Sequence, residues 1–423
     1  MNGRPAFILL DANNFYVSAE RVWRPELANK PVVVAGSGDG CVIARSDEAK
    51  ALGIKMGEAV HLVRQQYWRS ELIICSANFP LYGDASSRFM RTVATVAPKI
   101  TPYSIDECFI HAHGMSDQQL HQLAIQARER VLGWTGLGTG AGIGPTPTLA
   151  KLGSYGAKRV LKTGLCNLMS PIDREQLLAL TPVGEIWGIG PSLTARLAAM
   201  GVTTAAQFAR LPRHVIEREF PVTVLRTQLE LNGICAVDLQ GNDGPREMIN
   251  VSRSFGSRIE TLDALTAALV AFASMAASRL RKQGSSASAI RVYARTSPFE
   301  TKSAPYAKTV TVPFAQPASD VRLFAKAASQ AARSIFKPGI RFSKAGVLLM
   351  GMQPADAMSQ QDLFGYDDKS QSRLMSALDE INSRFGRGTV QLARTVGFAR
   401  SGARPDSLSP AYSCRLADLK VVF

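Results

Sequence analysis

Thr101-Pro-Tyr-Ser-Ile-Asp106-Glu107-Cys-Phe109 sets two adjacent acids in a run whose flanks are apolar, with Ile100 and Ile105 before them and Phe109 and Ile110 after. These flanks predict a strand, a tight corner and a second strand. Successive strand side chains point to opposite faces, so Asp106 and Glu107 converge on one site only from a bend or a strand end. A third acid interrupts another apolar run, Phe7-Ile-Leu-Leu-Asp11-Ala12. Carboxylates in strand-like hydrophobic sequence are costly unless something positive stands against them. A pair of Mg²⁺ ions meets that need. Hard cations take oxygen ligands, and two of them ~4 Å apart clamp the attacking and leaving oxygens of phosphoryl transfer. Taken singly, each acid has a plainer reading, as a solvated corner or a turn former at a strand end.

The residues around the acids narrow the choice. Phe15 and Tyr16 follow Asp11 closely; they read as core aromatics or, beside a metal-bound nucleotide, as a plate under the sugar. Residues 31–35 and 41–44 predict a small hairpin across Gly36–Gly40. Arg45 to Gly53 then reads as a short helix capped by Ser46 or Asp47, which places Arg45 and Lys50 where triphosphate oxygens are bound. A strand over 72–77, a helix over 80–97 and an amphipathic helix over 117–132 flank the acidic hairpin. The glycine-rich strand Leu137–Gly144 lacks the Gly-Lys-Ser/Thr ending of a phosphate loop. It reads instead as backbone lying close to a helix or a ligand, followed by a helix over 146–156 with Lys151 on it and Lys158 just past its end.

Charge points to a partner. The chain has 49 Lys and Arg against 34 Asp and Glu, a net +15. Between Arg246 and Ala345 there are 16 basic and 5 acidic residues, so this stretch holds a local excess of 11. Such a block in a folded segment is the electrostatic footprint of a phosphate backbone. A membrane is the weaker reading: the N-terminus lacks a signal-peptide pattern, and the sequence is expected to hold no apolar run near the ~20 residues that span a bilayer. The six cysteines, at 41, 75, 108, 166, 235 and 414, show no Cys-x-x-Cys spacing. Reduced thiols in the cytosol are expected from them. His111 and His113 read as structural.

The second half of the chain has the same theme. Val183–Leu197 predicts helix, Gly188-Ile-Gly190 hairpin, helix, which reads either as a plain helix break or, in preference, as a device that brings backbone N–H groups close to DNA phosphates without reading sequence. Thr203–Leu211 adds a short helix, and residues 236–247 form a turn-rich linker. Beyond it the pattern is strand 249–258, helix 262–283, strands 289–296 and 308–314, helix 318–336 and strand 343–351, a β-α-β-β-α-β unit. Ile290, Val292 and Ala294 alternate with Arg291, Tyr293 and Arg295, which gives the sheet a basic outer face; Arg253 is a further candidate DNA contact. From Gln353 onward the composition is polar, with a short helix over 370–385. Gln360-Gln-Asp362-Leu363-Phe364 is an isolated apolar anchor within that tail.

Together these residues carry a resemblance. Asp11-x-x-x-Phe15-Tyr16, Val42-Ile-Ala-Arg45 with Glu48-Ala-Lys50, Tyr103-Ser-Ile-Asp106-Glu107-Cys-Phe and Gly142-Ile-Gly with Leu149-Ala-Lys151 and Ala157-Lys158 resemble the Y-family translesion DNA polymerases. Within these the chain is most similar to the bacterial UmuC type, and the similarity extends past residue 400. The resemblance implies an α+β, right-hand polymerase: a ferredoxin-like palm (1–30 and 72–165), small fingers (31–71), a helical thumb with a helix-hairpin-helix (166–236), a βαββαβ little finger (246–352) and a C-terminal tail (353–423). It implies that Asp11, Asp106 and Glu107, with the Ala12 carbonyl, hold two Mg²⁺ ions. Tyr16 would exclude a ribose 2′-hydroxyl; Phe15, Arg45, Lys50, Ser104 and Lys158 would line the nucleotide site. Where several members carry an aromatic and an Arg in the fingers helix, this chain has Asp47 and Lys50. Gln360, Asp362, Leu363 and Phe364 look like a sliding-clamp motif. Primer–template DNA, a deoxynucleotide, the clamp, a UmuD′-like dimer and a RecA filament are the implied partners. The implied function is error-prone, template-directed synthesis across damage in the SOS response, without proofreading. Two rivals use the same residues: a two-metal nuclease or cyclase, and a non-catalytic DNA- and clamp-binding adaptor.

Overall fold

The computed structural model describes residues 3–239, 244–299, 304–355, 368–386, 388–395, 398 and 406–418. It divides into two units, residues 1–241 with 405–423, and residues 242–404.

The first unit is built on a five-stranded sheet in the order β5-β6-β1-β7-β8. These strands are β1 (Phe7–Ala12), β5 (Ile100–Pro102), β6 (Glu107–His111), β7 (Thr139–Gly144) and β8 (Leu165–Asn167). On one face Ile8, Leu10 and Ala12 of β1 join a large core with α1 (Phe15–Trp23), α4 (Phe79–Ala94) and α5 (Asp117–Thr135). On the other face Phe7, Leu9 and Phe109 meet Ala150 of α6 (Pro147–Tyr155). The two-residue alternation of a strand therefore aims Asp11, next after Leu9 on this face, to the side on which α6 lies.

The glycine run has its explanation here. A Cβ on Gly142 would stand 2.0 Å from the Ala150 carbonyl oxygen and 2.1 Å from the Ser154 nitrogen, and one on Gly144 would stand 2.7 Å from the Ala150 nitrogen. Backbone therefore rests on backbone, and a helix, not a ligand, is what the bare strand receives.

A smaller sheet, β3-β2-β4, joins β2 (Val32–Ala35), β3 (Val42–Arg45) and β4 (Ile73–Ser76). The expected hairpin forms between β2 and β3. β4, which the sequence reading places with the palm, pairs in parallel with β2 instead; the apolar run 72–77 does not itself reveal which sheet it joins. α2 (Asp47–Ala51) is capped by Ser46, whose side chain accepts from the Ala49 N–H, and α3 (Val60–Gln66) completes this small layer with its core of Val33, Val42, Ile54 and Val63. Helices α7 (Pro171–Leu180), α8 (Pro191–Ala199), α9 (Ala205–Ala209), α10 (Arg213–Glu219) and α11 (Val222–Leu231) bury Leu197, Phe208 and Ile216 against Leu149 and Leu152 of α6. The expected helix before Gly188 is only a single tight turn, Val183–Glu185.

The second unit has an antiparallel sheet in the order β11-β10-β12-β9, from β9 (Ile249–Ile259), β10 (Ser285–Arg295), β11 (Ala307–Ala318) and β12 (Phe342–Pro354). α12 (Leu262–Lys282) and α13 (Val321–Ile335) cover one face, so the sequence order is β-α-β-β-α-β. α12 corrects one expectation, because by length and composition it is apolar enough to cross a bilayer. Its Leu265, Leu269, Phe272, Ala276 and Leu280 are the core of this unit.

The chain after 353 is divided between the units. α14 (Asp368–Arg384) buries Met375 in the second unit's core and Asp379 holds Arg281 through two bonds of 2.7 Å. Residues 406–418 pack on the first unit, with Tyr412 in its main core.

Candidate active site

β1 and β6 run antiparallel with Asp11 directly opposite Glu107. Opposite residues share a face, so the apolar stripe Phe7, Leu9, Phe109 ends in two carboxylates. The corner before β6 supplies the third: the N–H groups of Tyr103 and Ser104 both donate to the Glu107 carbonyl, and the Ala12 N–H donates to that of Asp106. Ser104 lies at this corner, where its hydroxyl donates to Asp106 Oδ1 at 2.5 Å. Among the described residues it does not line the adjoining cavity; it orients the acid.

Each strand-borne acid has a lysine. Lys158 Nζ stands 2.8 Å from Asp11 Oδ2. It reaches there because Gly140 lies opposite Asp11 on β7 and the lysine stem crosses the bare glycine, where a Cβ would meet Lys158 Cε at 2.6 Å. The π-type turn Gly156–Val160 that carries Lys158 extends α6, a device often found at functional sites. Lys151, on α6 itself, bonds both oxygens of Glu107, at 2.9 and 2.8 Å. Its ammonium also lies 4.5 Å from the Tyr103 ring centroid and 5.8 Å from that of Trp187. The Trp187 indole N–H donates to the Tyr103 hydroxyl at 3.0 Å. Burial pushes the Asp11 and Glu107 carboxyls above their ordinary values, against the pull of Lys158 and Lys151. Lys151 was visible in the sequence only as a base on a helix; its role needs the register of three strands.

A cavity of about 640 Å³ opens beside the acids, lined among others by Asp11, Ala12, Phe15, Tyr16, Arg45, Lys50, Asp106, Lys158, Arg159 and Lys162. Phe15 is also a core aromatic. Tyr16 is half-buried, and its ring stacks on that of Tyr82 at 4.6 Å and 22°. Lys50 Nζ is held by Asn14 Oδ1 at 2.6 Å and Asp47 Oδ1 at 2.7 Å. Arg45 donates to the Ile54 carbonyl. Asn14, Arg159 and Lys162 join the lining without a motif to announce them.

Among the described residues no three Asp, Glu, His or Cys side chains stand together as a metal-holding group. Asp11 and Glu107 are each paired with a lysine, while His111 and His113 hydrogen-bond to Thr101 and the Ala6 N–H. The donor set suits a hard divalent ion: carboxylate oxygens end one apolar stripe and its corner.

Elsewhere the candidates separate. Gly188 has φ +89°, a conformation that favours glycine, and Gly190 precedes α8 with open space where a Cβ would stand. On β10, Ile290, Val292 and Ala294 are buried and Arg291 and Arg295 exposed, with Lys344 opposite Arg295. Arg253 is not on that face. It pairs with Ala345, on the helix-covered side, and is exposed on the outermost strand. The apolar alternation of β9 runs through residues 249, 251, 253 and 255, which the charge at 253 conceals. Gln360, Asp362, Leu363 and Phe364 lie outside the described residues.

This sheet-and-helix arrangement matches a solved Y-family DNA polymerase, the Dbh-Dpo4(243-245)-Dbh chimera, with a TM-score of 0.67 over 82% of this chain and 99% of that one at 19% identity. The fold is that of a Y-family polymerase. Sequence comparison gives the nearer kinship. Protein ImpB of Salmonella typhimurium is 38% identical over 98% of both chains, and Protein UmuC of the same species is 36% identical over 98% of this chain and 99% of its own. The impB/mucB/samB family model matches residues 10–155, its C-terminal domain residues 246–363, and a domain of unknown function residues 372–422. The chain belongs to the impB/mucB/samB family.

Proposed function

We propose that the protein is a DNA-directed DNA polymerase of the translesion type, extending a primer by phosphoryl transfer from a deoxynucleoside triphosphate. One observation carries this reading: the same cavity is lined by Asp11 and Asp106, by Tyr16 and by Arg45, Lys50, Lys158, Arg159 and Lys162. Acids, an aromatic plate and basic side chains around one space are what a metal-bound triphosphate with its sugar requires. Asp11, Asp106 and Glu107, with the Ala12 carbonyl, would hold two Mg²⁺ ions. Such ions, when bound, neutralise charge on the transferring phosphoryl group. Tyr16 presents its ring to the sugar and refuses a 2′-hydroxyl, while the basic side chains orient the phosphates. The outer face of the β11-β10-β12-β9 sheet, with Arg291, Arg295 and Lys344, offers phosphate contacts without base readout.

The wider role follows the family: synthesis past damage in the SOS response in the bacterial cytoplasm, with a sliding clamp held through Gln360–Phe364, a UmuD′-like dimer and a RecA filament as partners. Primer extension with Mg²⁺ and the four deoxynucleotides tests the central claim. Extension by the protein and none by Asp106→Asn is expected. DNA binding without extension would leave the adaptor reading in its place.

A further inference from the structure

Tyr16 does not stand on the cavity wall unaided. Its ring stacks on Tyr82 of α4, and Phe79, one turn earlier, meets both rings edge-on at 6.2 Å. Tyr82 is fully buried, so its hydroxyl needs a partner. It donates to Glu20 Oε1 at 2.8 Å. Glu20, on α1, is itself fully buried, and among the described residues its Oε2 has no hydrogen-bond partner. The other donor to Glu20 Oε1 comes from the far end of the chain: the Ser409 hydroxyl, at 3.0 Å.

Ser409 belongs to a segment that binds both helices of the tyrosine pair. Asn78 caps α4, accepting from the Leu81 N–H, and its amide donates to the Ser409 carbonyl, the Ser409 hydroxyl and the Pro410 carbonyl at 3.0–3.1 Å. Ser413 donates to Asp84 at 2.6 Å. On the α1 side Tyr412 stacks on Trp23 at 5.2 Å with the rings 3° from parallel. The segment begins beside β4, where Ser407 and Ser76 exchange bonds of 2.9 and 3.0 Å. Residues 406–418 thus fasten α1, which carries Tyr16, to α4, which carries the ring beneath it.

We propose that this C-terminal strap is a specificity-determining element: through Ser409, Glu20 and Tyr82 it fixes the position of Tyr16, and so sets how strongly the site prefers deoxyribose to ribose. This rests on reading Tyr16 as the sugar gate. It gives a role to part of the segment matched by a domain of unknown function. A plate that rejects one hydroxyl works by placement, and shifts of about an ångström at such groups carry large kinetic effects. Tyr16 has no polar bond to hold it among those described; its placement comes from the stack below. Glu20, Tyr82 and Ser409 are positioning residues, and none of them is among the residues that line the cavity.

The test compares single-nucleotide extension with a deoxynucleotide and the matching ribonucleotide in the full chain, its Ser409→Ala and Tyr82→Phe variants, the double variant, and Tyr16→Ala. The readout is the ratio of kcat/KM for the two sugars, which a merely destabilised enzyme leaves unchanged because both substrates meet the same protein. Ser409→Ala and Tyr82→Phe should each lower the ratio roughly threefold to tenfold, the range of a single lost hydrogen bond. The double variant should lose less than the product of the two, because both act through one carboxylate. Tyr16→Ala should lower the ratio further than any of them. If Tyr16→Ala collapses the ratio while both others keep it, or slow both sugars equally, the strap has no part in selectivity and the proposal is overturned. If Tyr16→Ala itself leaves the ratio intact, the gate reading falls, and this proposal with it.

Discussion

Lys151 grips Glu107 by both carboxylate oxygens, at 2.9 and 2.8 Å, while Tyr103 and Trp187 lie against the same ammonium. The pair is mostly buried, with 25% of the lysine side chain and 15% of the glutamate side chain exposed. Any cation that takes Glu107 as a ligand must compete with this lysine.

Replacing Lys151 with Met should therefore have two opposite effects. The metal-free protein loses about 1–3 kcal/mol, less than the roughly 3–5 kcal/mol of stranding a fully buried charge, because the site is partly open. Mg²⁺ then finds an unopposed carboxylate and should raise the melting temperature of Lys151→Met more than that of the parent. Thermal melts with and without Mg²⁺ decide; equal Mg²⁺ shifts would detach Glu107 from metal binding.

Asp106→Asn should abolish nucleotide incorporation and leave primer–template affinity within about twofold, since phosphate contacts made elsewhere supply that affinity. Extension assays at saturating Mg²⁺ and a binding titration on the same preparation check it. Appreciable extension by the variant would remove Asp106 from the catalytic set.

Arg291→Ala with Arg295→Ala should weaken DNA binding almost equally across sequences. Each lost phosphate contact should lower the slope of log affinity against log salt by about one. Arg253→Ala, on the other side of the sheet, should change that slope less. A sequence-selective loss would mean that the outer face reads bases.

Glu20 makes stability pH-dependent. Burial holds its carboxyl above the ordinary 4.5. The folded chain therefore keeps the proton to higher pH than the unfolded chain. This contribution is fully present below pH 4.5 and is lost as the pH rises towards the folded value. Glu20→Gln has no such proton to lose, so its urea midpoint should fall less than the parent's between pH 4.5 and about 8. Parallel curves for the two proteins would show that Glu20 is not the group responsible.

Much of this was legible in the chain itself. The alternation in β1, β6 and β10 is a local signal, and the acids stand out because they break it. The register that sets Asp11 against Glu107 and Gly140 is a non-local choice, and so are the reach of Lys151 and Lys158. Local pattern also misled: charge at Arg253 hid the face it lies on, and the polar composition after Gln353 suggested one exposed tail. Residues 406–418 bind chiefly through serine hydroxyls, backbone carbonyls and a single tyrosine. Polar composition looks the same whether water or protein satisfies those groups.

The bare face of β7 has a consequence for how this enzyme tolerates change. At Gly142 and Gly144 the nearest atoms to an added methyl are helix backbone, and at Gly140 they are the stem of Lys158. Backbone cannot rotate out of the way as a side chain can, so the first two positions admit no residue but glycine unless helix and strand separate. Random mutagenesis should find Gly142 and Gly144 intolerant even to alanine, although neither lines the cavity beside the acids. The chemistry is thus guarded by atoms that are missing: the stretch least open to drift is the one with the fewest side-chain atoms.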